Sequence, residues 1–331
     1  MAEETWSPAK LFQVSGSYWN GFALHAGVKL DIFSLIGNER LSAGEVAQGL
    51  MGDERATAAL LNVFVAMGLL FKNEEKFENT PESREFLTKT SPKYVGYAIM
   101  HHHHLVPAWH ELSEVVKSGN PVRRKDRSEV QLESFLMGMC NIAMAIAPVL
   151  AEQIDLSGRN RLLDLGGGPG TYAIHFCLSN PSLQATVFDL HATRPFAVKT
   201  MERFRLADRI RFESGDYLED EIRGPYDVVW LSHILHAHGP EKCRMIIHKA
   251  ASVLEPGGLL LLHDFILSDT KDSPLFPALF ALNMLVNTKE GRTYSEGEIM
   301  EMLSEAGIQE IKRLPFRGPN DSTILSGVRP V

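Results

Sequence analysis

The sequence predicts an α/β protein in which a Rossmann-like parallel sheet follows a helical, winged-helix-like region. Short apolar strands alternate with helical stretches after residue 160, and a glycine-rich turn directly follows the first of these strands. Alternation of strands and helices indicates a parallel sheet. At 331 residues the chain is expected to form two domains. We expect boundaries at 1–100, 101–150 and 151–331, the middle segment being a helical linker.

Composition narrows the class of protein. Hydrophobic residues make up 44% of the chain, enough for large buried cores, and the formal net charge of −8 argues against an obligatory nucleic-acid partner. The three cysteines, Cys140, Cys177 and Cys243, share no metal or redox spacing, so a reduced, cytoplasmic setting is expected. Neither a signal-peptide pattern nor a membrane-spanning apolar run is present, so no membrane partner is predicted.

The first 100 residues show a helix–helix–hairpin pattern. Apolar residues recur at helical spacing over Phe22–Leu35, and Ser42 with Glu45 forms a capping-box pattern that opens a second helix. A third helix is predicted over Ala56–Leu70, followed by a hairpin over Leu70–Asn79. This order is typical of a winged-helix domain.

Charge argues against DNA binding by this region. Residues 1–100 contain 9 Lys or Arg against 12 Asp or Glu, and the recognition helix would carry Arg55 beside Asp53 and Glu54. We therefore expect a dimerisation role and a homodimer. Apolar residues of the amphipathic leader would supply the interface: Trp6, Leu11, Phe12, Trp19 and Phe22.

The linker contains an unusual run of four histidines, His101–His104. Four consecutive residues of a helix point in four directions, so they cannot all bind one metal ion. We expect partly exposed helix residues, with one or two lining a pocket as the alternative. The basic run Arg123–Arg127 is interpreted as a solvated loop, and Phe135–Val149 as an apolar helix in a core or pocket wall.

The glycine-rich turn follows the strand that begins at Arg161 and has the pattern Asp-x-Gly-x-Gly-x-Gly. Its residues are Asp164, Gly166, Gly168 and Gly170. The spacing of a dinucleotide-binding turn fails, because Thr171 stands where the last glycine is required, and a P-loop lysine is absent. An acid without a phosphate-binding lysine suits a ligand with a cationic amino-acid head, and S-adenosylmethionine (SAM) is the obvious candidate. A tight turn without a ligand is the alternative.

The strands that follow carry two further acids. Asp189 ends the second strand, Gln184–Leu190, about 20 residues past the turn, where an acid accepts hydrogen bonds from ribose hydroxyls. Asp216 and Tyr217 follow the third strand, Ile210–Ser214, and could hold adenine. A fourth and a fifth strand are predicted over Tyr226–Leu231 and Leu259–Ile266, the fifth entered through Glu255–Gly258. Together these features fit a class I methyltransferase fold.

The whole chain resembles the small-molecule O-methyltransferases of the caffeic acid and acetylserotonin type and their bacterial relatives. The resemblance implies SAM as cofactor. It places the cofactor contacts at Asp164, Gly166, Gly168, Gly170, Asp189, Leu190, Asp216, Tyr217 and Ser232. The last of these stands where plant members have a lysine near adenine.

The same resemblance identifies a catalytic pair. His236 matches the family's catalytic base, and Asp264 matches the first acid that supports it. Two departures are evident: Ala237 and His238 replace the usual Asp-Trp pair, and Gly291 replaces the second supporting glutamate. Because a phenol has a pKa near 10 and imidazole one near 6.5, a neutral imidazole can take the phenolic proton as the oxygen attacks. Since no cysteine or carboxylate cluster lies nearby in sequence, we expect metal-independent catalysis, with a histidine-bound ion left open.

The acceptor pocket is expected between the linker and the segment after the fifth strand. Candidate lining residues are Trp109, Phe276, Phe280, Asn283 and Met284. Such side chains suit a flat apolar acceptor but are also ordinary core residues. Two final strands, Ile308–Leu314 and Thr323–Val328, would form a closing hairpin.

Three functions remain compatible with these residues. The leading hypothesis is methyl transfer from SAM to a hydroxyl of a small aromatic molecule. The substitutions at Ala237 and Gly291 leave open an enzyme that uses SAM for decarboxylation or hydroxylation. A non-catalytic SAM-binding module is the third, which His236 and Asp264 argue against.

Overall fold

The computed structural model of the protein describes residues 5–122 and 128–331. The run Arg123–Arg127, predicted as a solvated loop, lies outside the described residues. Contacts between residues divide the chain into two compact units. The first contains the residues up to Leu105 together with Ser128–Asn141, and the second contains the rest.

The first unit consists of helices and a small antiparallel sheet. Its helices are α1 (Pro8–Gly16), α2 (Tyr18–Lys29), α3 (Ile32–Ile36), α4 (Ala43–Leu50), α5 (Glu54–Ala66) and α6 (Pro81–Leu87). Its strands are β1 (Leu41–Ser42), β2 (Leu70–Asn73) and β3 (Lys76–Asn79), in the order β1-β3-β2. Strands β2 and β3 form the predicted hairpin, whereas β1 was not predicted. Assignment to the winged-helix class stays a prediction.

One predicted helix of this unit is wrong. The apolar pattern over 22–35 suggested a single helix, but the structure breaks it between α2 and α3. Asp31 adopts a left-handed φ of 57°, which ends α2 and redirects the chain. Helix periodicity continues across the break because both helices bury residues in the same core, including Val28 and Phe33.

Two local signals in this unit work as predicted. The Ser42 hydroxyl accepts a hydrogen bond from the Glu45 amide at 3.2 Å, and the Glu45 carboxylate accepts one from the Ser42 amide at 2.7 Å, which completes the capping box. Helix α5 ends at Ala66, earlier than predicted, because Gly68 takes a φ of 74° and turns the chain into β2.

Four helices follow: α7 (Gly96–His110), α8 (Leu112–Ser118), α9 (Glu129–Met144) and α10 (Ala147–Gln153). The histidines His101–His104 lie on α7, where three are partly buried and His102 is exposed. The single helix predicted over 135–149 is wrong. Pro148 lies in the first turn of α10, where its missing amide is tolerated, and it prevents α9 from continuing.

By length and composition, the described residues contain no single helix that could cross a membrane. The bent pair α9 and α10 passes such a test when its two helices, inclined by 48°, are taken together.

The second unit is built on a seven-stranded sheet. Its strands are β4 (Arg161–Leu165), β5 (Gln184–Asp189), β6 (Ile210–Ser214), β7 (Tyr226–Ser232), β8 (Leu254–Phe265), β9 (Gln309–Arg317) and β10 (Ser322–Val328). The order is β6-β5-β4-β7-β8-β10-β9; β4–β8 pair in parallel, and β10 is antiparallel to both neighbours. The α/β fold with its Rossmann-like sheet is thereby confirmed. Strand β8 starts at Leu254, so the predicted Glu255–Gly258 turn lies within it.

Helices cover the sheet on both sides. They are α11 (Thr171–Ser179), α12 (Arg194–Arg203), α13 (Pro240–Ser252), α14 (Leu275–Asn287) and α15 (Glu296–Glu305). Separate buried clusters form on the two faces, one around α11 and Trp230, the other around α13 and Leu262. Chain order in the sheet reverses beside β4, and ligands of such folds bind at the carboxyl ends of the strands at this point.

Candidate active site

The glycine turn begins where β4 ends. Gly166, Gly168 and Gly170 have φ angles of 68°, 56° and 77°, in the left-handed region that favours glycine. A Cβ atom on Gly167 would lie 2.5 Å from Asp164 Cγ. Gly167, which the spacing argument passed over, is therefore required for the turn to close on the Asp164 side chain.

Asp164, the acid of the turn, is buried, with 1% of its surface exposed. Its carboxylate accepts a hydrogen bond from the Ala173 amide in α11 at 3.3 Å. Burial raises the pKa of Asp164 to about 7, and the charge of Asp189 acts in the same direction. A carboxylate so poorly compensated fits a ligand that brings a positive charge, as the amino group and sulfonium of SAM do.

Asp189 connects the glycine turn to the next loop. One of its oxygens accepts a hydrogen bond from the Gly168 amide at 2.8 Å; the other accepts from the Leu190 amide at 2.7 Å and from the Thr193 hydroxyl at 2.9 Å. Burial raises the pKa of Asp189, and the Gly168 hydrogen bond opposes that rise. The oxygen that accepts from Gly168 retains a lone pair for a ligand hydroxyl.

Tyr217 lies beside the glycine turn. A Cβ on Gly166 would lie 3.5 Å from its ring, and its hydroxyl is 2.9 Å from His238 Nε2. Asp216 stabilises its own loop, because its carboxylate accepts a hydrogen bond from the Leu218 amide at 2.8 Å. The structure thus places Tyr217 beside the turn and shows a partner for it in His238, while its contact with adenine stays a prediction.

Ser232 ends β7, but its hydroxyl is directed to a neighbouring strand. The oxygen lies 3.0 Å from His263 Nδ1, and the other ring nitrogen of His263 lies 3.0 Å from the Ser322 hydroxyl. His263 is fully buried, and burial lowers its pKa well below the ordinary value. The Ser232 hydroxyl is thus already engaged by His263. Its predicted contact with the cofactor stays a prediction.

The predicted catalytic pair is in contact. His236 lies on a short turn after β7, and Asp264 lies near the end of β8, the parallel neighbour of β7. His236 Nδ1 and Asp264 Oδ1 are 2.8 Å apart. Asp264 is 3% exposed; burial alone would raise its pKa, but the adjacent His236 and His233 hold that pKa well below its usual range.

Gly291 explains the absence of a second supporting acid. Its backbone passes so close to the catalytic turn that a Cβ would lie 2.7 Å from the His236 carbonyl oxygen and 2.4 Å from the Thr288 hydroxyl. The adjacent Arg292 amide donates to the same carbonyl at 2.9 Å. Glu290 is engaged elsewhere, 3.0 Å from Lys242 Nζ. The contacts to His236 at this point therefore come from backbone.

An aromatic wall faces His236. The ring of Phe280 is 4.8 Å from the His236 ring, and Phe265 lies 4.6 Å from Phe280 and 5.0 Å from Phe276. Phe265, which directly follows Asp264, begins the segment in which the acceptor pocket was predicted. These rings form an apolar surface at the imidazole.

Polar groups meet farther along α14. Trp109 Nε1 donates to the Asn283 side-chain oxygen at 2.9 Å, and the Asn287 amide donates to the same atom at 2.9 Å. Met284, another predicted lining residue, is buried in the unit. Trp109 and Asn283 are therefore brought together, whereas Met284 packs as a core residue.

His233, which the sequence did not single out, belongs to the same cluster. Its Nδ1 lies 3.5 Å from Asp264 Oδ1, and its ring is 4.7 Å from the Phe265 ring. It adopts a φ of 55°, which is uncommon for a residue other than glycine. Its spacing of three residues from His236 was the available signal.

Comparisons with known proteins agree with this architecture. A family model described as the O-methyltransferase domain matches residues 114–309, and one described as the O-methyltransferase dimerisation domain matches residues 12–89. The tetracenomycin polyketide synthesis 8-O-methyl transferase TcmO of Streptomyces glaucescens is 30% identical, over 98% of this chain and 97% of that protein.

Two further proteins extend the comparison. The 3-hydroxy-5-methyl-1-naphthoate 3-O-methyltransferase of Streptomyces sahachiroi is 30% identical over 97% of this chain and 95% of that protein. The crystal structure of human N-acetylserotonin methyltransferase in complex with SAM has a TM-score of 0.86 at 24% identity and covers 100% of both chains. The match therefore extends over both units.

Proposed function

Because the chain belongs to the family of SAM-dependent O-methyltransferases, we propose that it methylates a hydroxyl of a small aromatic acceptor with His236 as general base. The observation that carries this proposal is the 2.8 Å contact of His236 Nδ1 with a nearly buried Asp264. A histidine oriented by a carboxylate is the usual arrangement of a general base.

SAM, when bound, supplies a methyl group that is already activated as part of a sulfonium. The glycine turn and Asp164 would hold its amino-acid end, Asp189 and Leu190 its ribose, and Asp216, Tyr217 and Ser232 its adenine side. Donors and acceptors in these loops are fixed by the backbone hydrogen bonds described above. Orientation of the reactants is therefore supplied by rigid elements, which is where most of the rate gain of a displacement arises.

His236 would act through its second nitrogen. With Nδ1–H donating to Asp264, Nε2 carries a free lone pair that can accept the acceptor's hydroxyl proton. The resulting imidazolium would be stabilised by the Asp264 carboxylate, whose pKa the adjacent histidines hold well below its usual range. Asp264 therefore orients and stabilises the base without taking the proton.

The aromatic wall supports an aromatic acceptor. Phe265, Phe276 and Phe280 offer ring faces beside His236, and Asn283 with Trp109 adds a polar group. Two relatives at 30% identity are named for O-methylation within a polyketide synthesis and of a hydroxynaphthoate. The acceptor is therefore proposed to be a phenol or a related hydroxyl on a flat ring.

A homodimer is proposed for the assembly. Residues 12–89 match a dimerisation domain, and large apolar side chains of the leader are exposed, with Phe12 at 75% and Trp19 at 69%. Obligate dimer interfaces are more hydrophobic than other protein surfaces. Trp6, Leu11 and Phe22 are exposed as well and would complete the interface.

The test is incubation with SAM labelled in its methyl group and a panel of phenols. Label transferred to a phenolic oxygen supports the proposal. A product without label would indicate decarboxylation or hydroxylation chemistry, and SAM binding without turnover would indicate a non-catalytic module. Either of these two outcomes overturns the methyl-transfer proposal.

A further inference from the structure

Three potential metal ligands converge at the catalytic turn. Nitrogen or oxygen atoms of His233, His236 and Asp264 all lie within 4.8 Å of one another. We propose that these three residues form a binding site for a divalent transition-metal ion of the zinc class, and that the ion inhibits methyl transfer. Ion binding does not depend on the proposed function, whereas the inhibition rests on His236 being the general base.

The two distances from Asp264 to the histidines are close to those that such an ion requires. Two ligands of a tetrahedral zinc, each about 2.0–2.1 Å from the ion, are roughly 3.3 Å apart. His233 Nδ1 is 3.5 Å and His236 Nδ1 is 2.8 Å from Asp264 Oδ1. Side-chain shifts of about half an ångström would therefore bring the two contacts of Asp264 to metal-binding geometry. The fourth position would be left to water.

The chemical character of the ligands favours the zinc class. Two imidazoles and one carboxylate are typical of catalytic-type zinc sites with three protein ligands, whereas Mg²⁺ and Ca²⁺ prefer oxygen ligands. In the described part of the chain, Asp264 forms its ion pairs with these two histidines. A cation bound between the three residues would compensate this nearly buried charge directly.

His233 provides the independent observation. Its Nδ1 is buried, and its 3.5 Å approach to Asp264 Oδ1 is too long for a well-formed hydrogen bond, although buried polar atoms are nearly always well paired. Its left-handed φ of 55° is held by a hydrogen bond from its amide to the His263 carbonyl at 2.8 Å. Strained backbone that presents a weakly bonded ligand atom to a cluster is a feature of functional sites.

The ion would inhibit by fixing the wrong tautomer of His236. As a base, the neutral ring carries its proton on Nδ1 and its lone pair on Nε2. An ion bound at Nδ1 takes that lone pair, so the neutral ring must carry its proton on Nε2. A protonated Nε2 cannot accept the acceptor's proton. No atom of the SAM-binding loops takes part, so the loss should fall on kcat.

Cobalt(II) is the probe for binding, because its visible absorption reports histidine coordination directly. The ligand-free protein should give a saturable spectrum with Co²⁺. His233→Asn should weaken Co²⁺ binding by more than about 10–100-fold, the loss caused by removing an outer-shell partner. Asparagine tolerates a left-handed φ, so this variant should fold, and its melting temperature checks that. His102→Asn, in the exposed part of the histidine run, is the matched control and should bind as the wild type does.

Zinc inhibition is measured on the same proteins. In wild type and in His102→Asn, Zn²⁺ should lower kcat at saturating SAM while the SAM dissociation constant is unchanged. In His233→Asn the half-inhibitory Zn²⁺ concentration should rise by the factor seen with Co²⁺. Equal Co²⁺ binding by wild type and His233→Asn, an ion bound at the histidine run only, or activation by Zn²⁺ would overturn the proposal. Metal binding that depends on His233 but does not inhibit methyl transfer would refute the general-base role of His236. The proposal of a metal-binding site would then still hold.

Discussion

The Asp189 carboxylate accepts a hydrogen bond from the Gly168 amide at 2.8 Å. The acid that ends β5 therefore also fixes the glycine turn that follows β4. Its other oxygen accepts from the Leu190 amide and the Thr193 hydroxyl. A residue expected to bind ribose thus also sets the shape of the loop beneath the cofactor. Its removal should therefore affect both binding and loop order.

Asp189→Ala should weaken SAM binding by about 1.5–3 kcal/mol, the usual cost of losing a hydrogen bond to a charged group. Calorimetric titration measures this loss. Asp208→Ala, an exposed acid outside these loops, is the control and should leave affinity unchanged. An unaltered SAM dissociation constant in Asp189→Ala would show that Asp189 does not bind the ribose of SAM.

SAM affinity should rise with pH. Because burial raises the pKa of Asp164 to about 7, much of this carboxyl is protonated below that pH. A cationic ligand favours the ionised form, so binding should release a proton, and affinity should increase between about pH 6 and pH 8. The raised pKa of Asp189 acts in the same direction.

Titration calorimetry in buffers of different ionisation enthalpy measures the released proton directly. Asp164→Asn is the matched variant, since it keeps the shape and removes the titration. It should bind more weakly with a flatter pH profile. Proton release of equal size in Asp164→Asn would refute this assignment.

The dimer should depend on the exposed leader. Phe12→Glu combined with Trp19→Glu places two charges where the apolar interface is proposed, and burying them would be costly. Light scattering should give twice 36.9 kDa for the wild type and a lower mass for the double variant. Leu178→Glu, at an exposed apolar position of α11 outside residues 12–89, serves as the control and should remain dimeric. A compact wild-type monomer at micromolar concentration would contradict the proposal.

Gly291→Ala should impair the catalytic turn even though the residue is small. The added Cβ meets the His236 carbonyl oxygen and the Thr288 hydroxyl at less than van der Waals distance. Overpacking of this kind typically costs about 1–3 kcal/mol, so the melting temperature and kcat should both fall. Gly16→Ala, where a Cβ meets nothing within 4 Å, is the control. Wild-type kcat in Gly291→Ala would show that the His236 turn is not held here.

Strong local signals made most of the fold predictable. Buried strands such as Tyr226–Ser232, the capping box at Ser42 and the glycine turn each depend on nearby residues, and the structure agrees with them. The failures, at Asp31 and Pro148, are breaks inside apolar periodicity. Periodicity persists across such a break when both helices bury the same face, so composition alone does not reveal it.

Parts of the site lay beyond sequence reasoning for a different reason. The engagement of Ser232 with His263 and of Tyr217 with His238 depends on how separate strands and loops align. Side-chain direction at a strand end cannot be read from residue type. The nearness of His233 to Asp264 likewise requires a left-handed backbone, for which histidine gives little signal.

The general-base role of His236 is tested most directly by kcat and SAM affinity measured on the same variants with a weakly acidic phenol. His236→Ala should lower kcat by about 10²–10⁴-fold, the usual contribution of a positioned acid–base group. Asp264→Asn should lower kcat by a smaller factor, because Asp264 only orients and stabilises the His236 ring. The SAM dissociation constant should be unchanged in both variants. Full activity of His236→Ala with that phenol would contradict the account.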